Sequence, residues 1–174
     1  MNKVLVLGNA GSGKSTFSKN LGEILNLPIY TLDNLYFRNS WNVFPDREEF
    51  KLLVMTIIKE AKWIIDGNYM YTLEDRMINA EVIILLNIPA YLCFFRIIKR
   101  WLKYYGKVRP GMIIGCKERI DIKLLVEMFQ FYKRKESIII DKMKFYSTKK
   151  NIIFLNSPKQ VNEFLQQLKQ NIKK

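Results

Sequence analysis

Residues 8–15 read Gly8-Asn9-Ala10-Gly11-Ser12-Gly13-Lys14-Ser15, the spacing GxxxxGK[ST]. Glycines at these places let the backbone curl until successive N–H groups face a polyphosphate. A helix beginning at Lys14 adds the positive end of its dipole. Lys14 supplies a point charge for the β- and γ-phosphates, and the Ser15 hydroxyl is a hard oxygen ligand for Mg²⁺. Residues 8–13 together with Lys14, Ser15 and Thr16 are therefore the expected nucleotide-binding segment, with Mg-ATP the expected ligand.

Two aspartates stand where apolar runs end. Asp66 closes Trp63-Ile64-Ile65 and precedes Gly67. A carboxylate at the C-terminal end of a strand beside a phosphate loop can hold Mg²⁺ directly or through water; an Asp-Gly pair is also an ordinary turn former. Asp33 closes the run 29–32. It can orient or deprotonate an acceptor hydroxyl, or simply cap a helix or a turn. If both end strands, both carboxylates project into the crevice above a parallel sheet. Arg96 and Arg100 are four apart and share a helix face with Lys99 and Lys103 nearby, while Arg109 and Arg119 flank a glycine-containing loop. Fixed guanidinium forks suit a transferring phosphoryl group, whose oxygens carry the charge. A solvated basic face gives the same pattern. The aromatic groups Phe94/Phe95, Tyr104/Tyr105 and Phe129/Phe131/Tyr132 read as core or lid packing rather than base-stacking platforms.

These residues need elements to carry them. Residues 4–7 form a short buried strand, and 14–25 carry apolar Phe17, Leu21, Ile24 and Leu25 at helical spacing. Pro28 stops that helix, and 29–32 read as a second strand. Asp46 with Glu49 three residues later is a capping box opening a helix over 47–62. Strands follow at 63–65, 82–86 and 152–155, and helices at 73–80, from Pro89 to about residue 105, across 120–147 and from Pro158 to 173; residues 106–115 read as a loop. Strands alternating with helices predict one parallel sheet covered on both faces, with residues 1–174 as a single domain.

Composition narrows the chemistry further. The chain has 174 residues, 49% apolar and 26% charged, enough to bury a real core. The absence of histidine rules out a Ser-His-Asp triad, a histidine base and a His-ligated zinc site. Cys93 and Cys116 are too few for a Cys-only zinc site or a disulfide framework, which fits a reducing compartment. No apolar run approaches the roughly 20 residues of a membrane span, and the N-terminus lacks signal-peptide character. The expectation is a soluble cytoplasmic protein with no membrane partner. Charge is uneven: nine Lys/Arg against ten Asp/Glu up to Asn87, then twenty against six from Ile88 onward. The second half is thus expected to meet phosphates, a nucleic acid or an acidic lipid surface, or to be a merely solvated lysine-rich face.

The sequence resembles the adenylate-kinase-like P-loop kinases, most closely the small bacterial branch labelled DNA topology modulation proteins. The resemblance spans nearly the whole chain. It rests on GNAGSGKST at 8–16, LDNLYFRNSWNVFPDREEF at 32–50, WIIDGNY at 63–69, FFRIIKRW at 94–101 and GCKERID at 115–121. It implies a three-layer α/β P-loop NTPase fold with a five-stranded parallel sheet in order 2-3-1-4-5 and a short helical lid around 105–122. Arg96 and Arg100 resemble the pre-lid pair that touches adenine and phosphates. Arg119 and Asp121 resemble the lid Arg-x-Asp, whose arginine reaches the transferring phosphate. The loop holding Asn156 and Pro158 sits where such kinases cradle adenine, and Asp33 resembles the acceptor-site aspartate of kinases for small hydroxylated molecules. One departure matters. Adenylate kinases follow the third strand's Asp-Gly with Phe-Pro-Arg, whose arginine holds the AMP phosphate. Here Asn68-Tyr69-Met70 follow, the next arginine is Arg76, and Arg38 lies five residues after Asp33. Arg38 and Arg76 are therefore the arginines expected at the acceptor, and AMP is disfavoured. The expected activity is an ATP-dependent phosphotransferase for a small acceptor, with Lys14, Asp33, Arg100 and Arg119 as its reacting-centre residues. The alternatives are a nucleic-acid-associated protein that uses ATP as a switch, and a nucleotide-binding protein without turnover.

Overall fold

The computed structural model describes residues 1–38, 42–43, 46–108, 111, 116–117, 126 and 134–172. Three runs of buried aliphatic residues make the centre of a sheet: β1 (Lys3–Gly8), β5 (Trp63–Asp66) and β6 (Val82–Leu86). Central parallel strands are covered on both faces, so they read as unbroken apolar runs rather than alternating ones. β2 (Ile29–Thr31) and β7 (Asn151–Leu155) complete the sheet at its edges. The order is β2-β5-β1-β6-β7, all parallel, which is 2-3-1-4-5 when only the sheet's own strands are counted. A separate antiparallel pair, β3 (Phe37–Arg38) and β4 (Asn42–Val43), lies outside it.

Side chains alternate across β1. Leu5 and Leu7 enter a core with Leu32, Phe50, Trp63, Ile65 and Met77. That core is covered by α3 (Arg47–Lys59), α4 (Leu73–Asn79) and α6 (Glu136–Tyr146). Val4 and Val6 enter the opposite core with Phe17, Leu21, Ile84 and Ile97. There α1 (Lys14–Leu25), α5 (Ala90–Tyr104) and α7 (Pro158–Ile172) form the cover. The result is the expected three-layer α/β arrangement. Fully buried Leu, Ile and Phe side chains each contribute roughly 1.5–3 kcal/mol.

Several expectations shift. The second strand ends at Thr31, and residues from Leu32 onward form the short helix α2 (Leu32–Tyr36). Asp33 thus sits in a helix's first turn, not at a strand's tip. Burial of Leu32 against Gly67, where an added Cβ would lie 2.9 Å from Leu32 Cβ, fixes that turn in a way strand patterning does not register. Helix α3 ends at Lys59 because Glu60 is extended; at its start the Asp46 carboxylate accepts from the Glu48 N–H at 2.9 Å. Phe95 on α5 and Tyr105 just after it are about two-thirds exposed, so they are not core residues. The expected groups at 129–132, Arg109, Arg119 and Asp121 lie outside the described residues.

Candidate functional site

The glycine-rich loop of residues 8–13, the expected phosphate loop, joins β1 to α1 and is shaped by its glycines. Gly8, Gly11 and Gly13 have φ of 145°, 77° and 96°, values L side chains rarely adopt. Gly11 is also pressed on α5, where a Cβ would lie 2.4 Å from the Cys93 carbonyl oxygen. At Gly13 the nearest atom to such a Cβ is Arg96 Nη1 at 3.7 Å, so this stretch is open and faces a guanidinium. No side chain caps the N-terminus of α1. Its first amides are left for an anion, as at other phosphate-binding helix starts. Lys14 Nζ donates to the Asn9 carbonyl at 2.9 Å, so the ammonium spans the loop. Arg96 Nη1 donates to the Ser12 carbonyl at 2.9 Å, bringing a second cation from α5 to the same loop. Arg100 follows one helical turn later.

Ser15 and Thr16 are exposed in the first turn of α1, while Ala10 N–H donates to Asn9 Oδ1 at 2.6 Å. Asp66 is buried, 2% exposed, at the end of β5, in register with Val6 of β1. A serine hydroxyl and a carboxylate on neighbouring chain segments beside an anion cradle are the hard oxygen donors Mg²⁺ takes when phosphate oxygens and water complete its shell. The residues therefore fit Mg-ATP. Among the described residues no group of three or more His, Cys, Asp or Glu is gathered for a metal, so the protein alone builds no closed metal cage there.

A second group of side chains centres on Asp33. Its Oδ1 accepts from the Tyr69 hydroxyl at 3.0 Å. Burial, and then the Asp33 carboxylate, push the Tyr69 phenol far above its ordinary value, so it stays a donor. Rings of Tyr36, Phe50 and Tyr71 surround Tyr69, with centroids 5.0, 5.3 and 6.2 Å away. Next to Asp33, Asn34 Nδ2 donates to the Gly111 carbonyl at 3.0 Å. Within the expected lid 105–122, Val108 and Lys117 form an antiparallel bridge, and Gly111 is the described residue that meets the neighbour of Asp33. Arg38 is paired with Asn42 on β3, and its side chain lies outside the described residues.

Arg76 is a correction. The expectation put it at the acceptor, but its side chain is fully buried. Its Nε donates to the Thr72 carbonyl and hydroxyl at 3.2 and 3.1 Å. Nη1 donates to the Gly67 carbonyl at 2.6 Å, and Nη2 to the Asn68 and Tyr69 carbonyls, both at 2.8 Å. The guanidinium is spent on Thr72 and on the carbonyls of residues 67–69, buried away from any acceptor. Burial pulls its pKa down to about 9, and the Asp66 and Asp75 carboxylates act against that.

Beyond β7, Asn156 Oδ1 accepts from Asn87 Nδ2 at 2.9 Å, and the Asn156 N–H donates to Gln160 Oε1 at 2.7 Å. The Ser157 hydroxyl accepts from the Gln160 N–H at 3.2 Å and Pro158 begins α7, so the Asn156–Pro158 turn is held by its own caps. Sequence reasoning missed Asn68 and Tyr69. Asn68 Nδ2 donates to the Gly8 carbonyl at 2.8 Å, and its Oδ1 accepts from the Gly8 N–H at 3.2 Å. The available signal was an amide and a phenol directly after Asp66-Gly67, at a strand's end.

No family model matches the chain, and no match among curated proteins is found. Solved structures do match. A shikimate kinase from Acinetobacter baumannii in complex with shikimate aligns with 99% of this chain and 93% of its own at TM-score 0.62 and 12% identity. A shikimate kinase from Bacteroides thetaiotaomicron aligns over 98% of both chains at TM-score 0.54 and 19% identity. A deoxyadenosine kinase from M. mycoides with bound dCTP aligns at TM-score 0.47 and 16% identity, too distant to argue from. The chain shares its fold with these two shikimate kinases.

Proposed function

We propose that this chain is an ATP-dependent phosphotransferase acting on a small hydroxylated acceptor. The observation that carries the reading is that the adjacent residues Asn68 and Tyr69 link two different sets of groups. One end is an anion cradle with Lys14 and Arg96 on it, and the other is a carboxylate, Asp33, paired with a phenol. A fold shared with shikimate kinases supports the same division.

In this reading residues 8–13, Ser15, Thr16 and the amides of α1 bind the ATP phosphates, and Lys14 moves from the Asn9 carbonyl onto the β- and γ-phosphates. Arg96 and Arg100 flank the nucleotide from α5, with the Asn156–Pro158 turn beside its base and Arg119 reaching the transferring phosphate. Ser15 and Asp66 would hold Mg²⁺, which supplies charge neutralisation across the phosphate oxygens. Tyr69 fixes Asp33 through Oδ1. Asp33 Oδ2 is then the oxygen that takes the acceptor's hydroxyl proton, aligning that oxygen with the γ-phosphate. Arg38 stands near enough in sequence to Asp33 to meet an anionic acceptor. In this reading the chain works as one domain in the cytoplasm.

The test is ADP release from Mg-ATP with nucleosides, nucleoside monophosphates, sugars and hydroxy acids offered as acceptors, and Lys14→Ala as the blank. Stimulation of at least tenfold by one acceptor class, absent in folded Lys14→Ala, is the expected result. Full activity in that variant would overturn the assignment. No stimulation, together with ATP-dependent binding of DNA, would favour the nucleic-acid switch that the basic second half suggests.

A further inference from the structure

Residues 67–69 are gripped from three directions. Arg76 holds their three carbonyl oxygens from inside the protein, at 2.6, 2.8 and 2.8 Å. Asn68 exchanges two hydrogen bonds with the backbone of Gly8, the first residue of the phosphate loop. The Tyr69 hydroxyl reaches Asp33 at 3.0 Å. Gly67 N–H also donates to the Val6 carbonyl at 3.3 Å, which ties the segment to β1.

A buried arginine is costly unless each donor direction is satisfied, and its backbone acceptors are otherwise available to water. Three consecutive carbonyls turned toward one guanidinium therefore define a single backbone path. That path sets where two adjacent side chains emerge, one toward the nucleotide's cradle and the other toward the acceptor carboxylate. Gly67 has φ of 140° and packs on Leu32 of α2, so the same segment also seats the helix that carries Asp33.

We infer that Arg76 and Asn68 are positioning residues: Arg76 fixes the 67–69 segment as a spacer that sets the distance between the phosphate loop and Asp33. The catalytic consequence rests on the phosphotransferase reading; the spacer itself does not. Asn68 acts on the donor side only, Tyr69 on the acceptor side only, and Arg76 on both. A loss of folded protein lowers apparent kcat but leaves both KM values unchanged, so the pattern of KM separates positioning from mere stability.

Two measurements on the full chain decide the matter. The first is amide hydrogen exchange by NMR on the nucleotide-free protein, comparing wild type with Arg76→Lys and Asn68→Ala. Exchange at the Gly8 N–H, which donates to Asn68, is expected to accelerate at least tenfold in both variants, while Ile84 in β6 keeps its protection. Wild-type Gly8 exchange in folded Arg76→Lys overturns the inference, and if that variant does not fold, wild-type exchange in Asn68→Ala does so. The second is steady-state kinetics with Mg-ATP and the acceptor found above. Asn68→Ala should raise the ATP KM about tenfold with the acceptor KM unchanged, Tyr69→Phe should do the reverse, and Arg76→Lys should raise both. Equal KM values in all four proteins would overturn the spacer. If no acceptor is found, the phosphotransferase reading fails, and the exchange result alone upholds or overturns the spacer.

Discussion

Gly11 shows how narrowly the phosphate loop is specified at the scale of one residue. It combines φ of 77° with a backbone so near α5 that a methyl group would collide with the Cys93 carbonyl oxygen. Gly11→Ala must therefore strain the backbone and push the loop off the helix that brings Arg96 to it. The expected outcome is at least a tenfold loss in Mg-ATP affinity by fluorescence titration, with a stability loss of about 1–3 kcal/mol in urea. Unchanged affinity would mean that the loop's contact with α5 has no part in nucleotide binding. Asp33 is set differently, through a phenol rather than a backbone constraint. The curled path at Gly8, Gly11 and Gly13 was legible because the glycine spacing is a local signal. Arg76 was not, because its acceptors are carbonyls whose direction depends on the folded path of residues 67–72, and nothing in residue type distinguishes that arginine from one aimed at a phosphate.

Among the elements, α4 and α6 are joined by Glu74, whose carboxylate accepts from Lys142 Nζ and from the Tyr146 hydroxyl. These two hydrogen bonds, Lys142 first, hold Glu74 below the ordinary carboxylate range, although burial opposes them. A depressed folded-state pKa stabilises above the unfolded value and loses that contribution as pH falls through the folded value. Glu74→Gln should then lower stability at pH 7 by about 0.2–1 kcal/mol, modest because the pair is part-exposed, and have no effect at acid pH where the wild-type carboxylate is protonated. Equal losses at both pH values in urea melts would exclude the charge-dependent part. Phe50 of α3 is fully buried against Tyr36 and Tyr69, and Phe50→Ala should cost about 3–5 kcal/mol. The strands at 4–7, 63–65 and 82–86 and the start of α3 at Asp46 were legible because apolar runs and caps are local signals. The helix α2 was not: five residues are too few for a helical period, and burial of Leu32 beneath Gly67 decides their conformation.

For the whole molecule, the sheet order β2-β5-β1 lines up the C-terminal ends of three neighbouring strands, so α2, residues 66–69 and the glycine-rich loop follow one another along one end of the sheet. Alternating strands and helices forecast the layers, and the resemblance supplied the strand order, which pattern alone does not. The positive second half bears on a separate question. Among the described residues no helix is long and apolar enough to cross a membrane. Diffuse charge predicts DNA binding that falls steeply between low and moderate salt and is indifferent to ATP. ATP-dependent, salt-resistant retention of DNA in a filter assay would contradict that. The central claim is that the phosphate loop and Asp33 serve one transfer reaction. Its most direct test is transfer of label from γ-³²P-ATP to the acceptor by wild type and Asp33→Asn, with ATP affinity measured alongside. The account predicts label on an acceptor oxygen, transfer reduced at least 100-fold in Asp33→Asn, and ATP affinity unchanged. Undiminished transfer by Asp33→Asn, or label released only as inorganic phosphate by wild type, would contradict it.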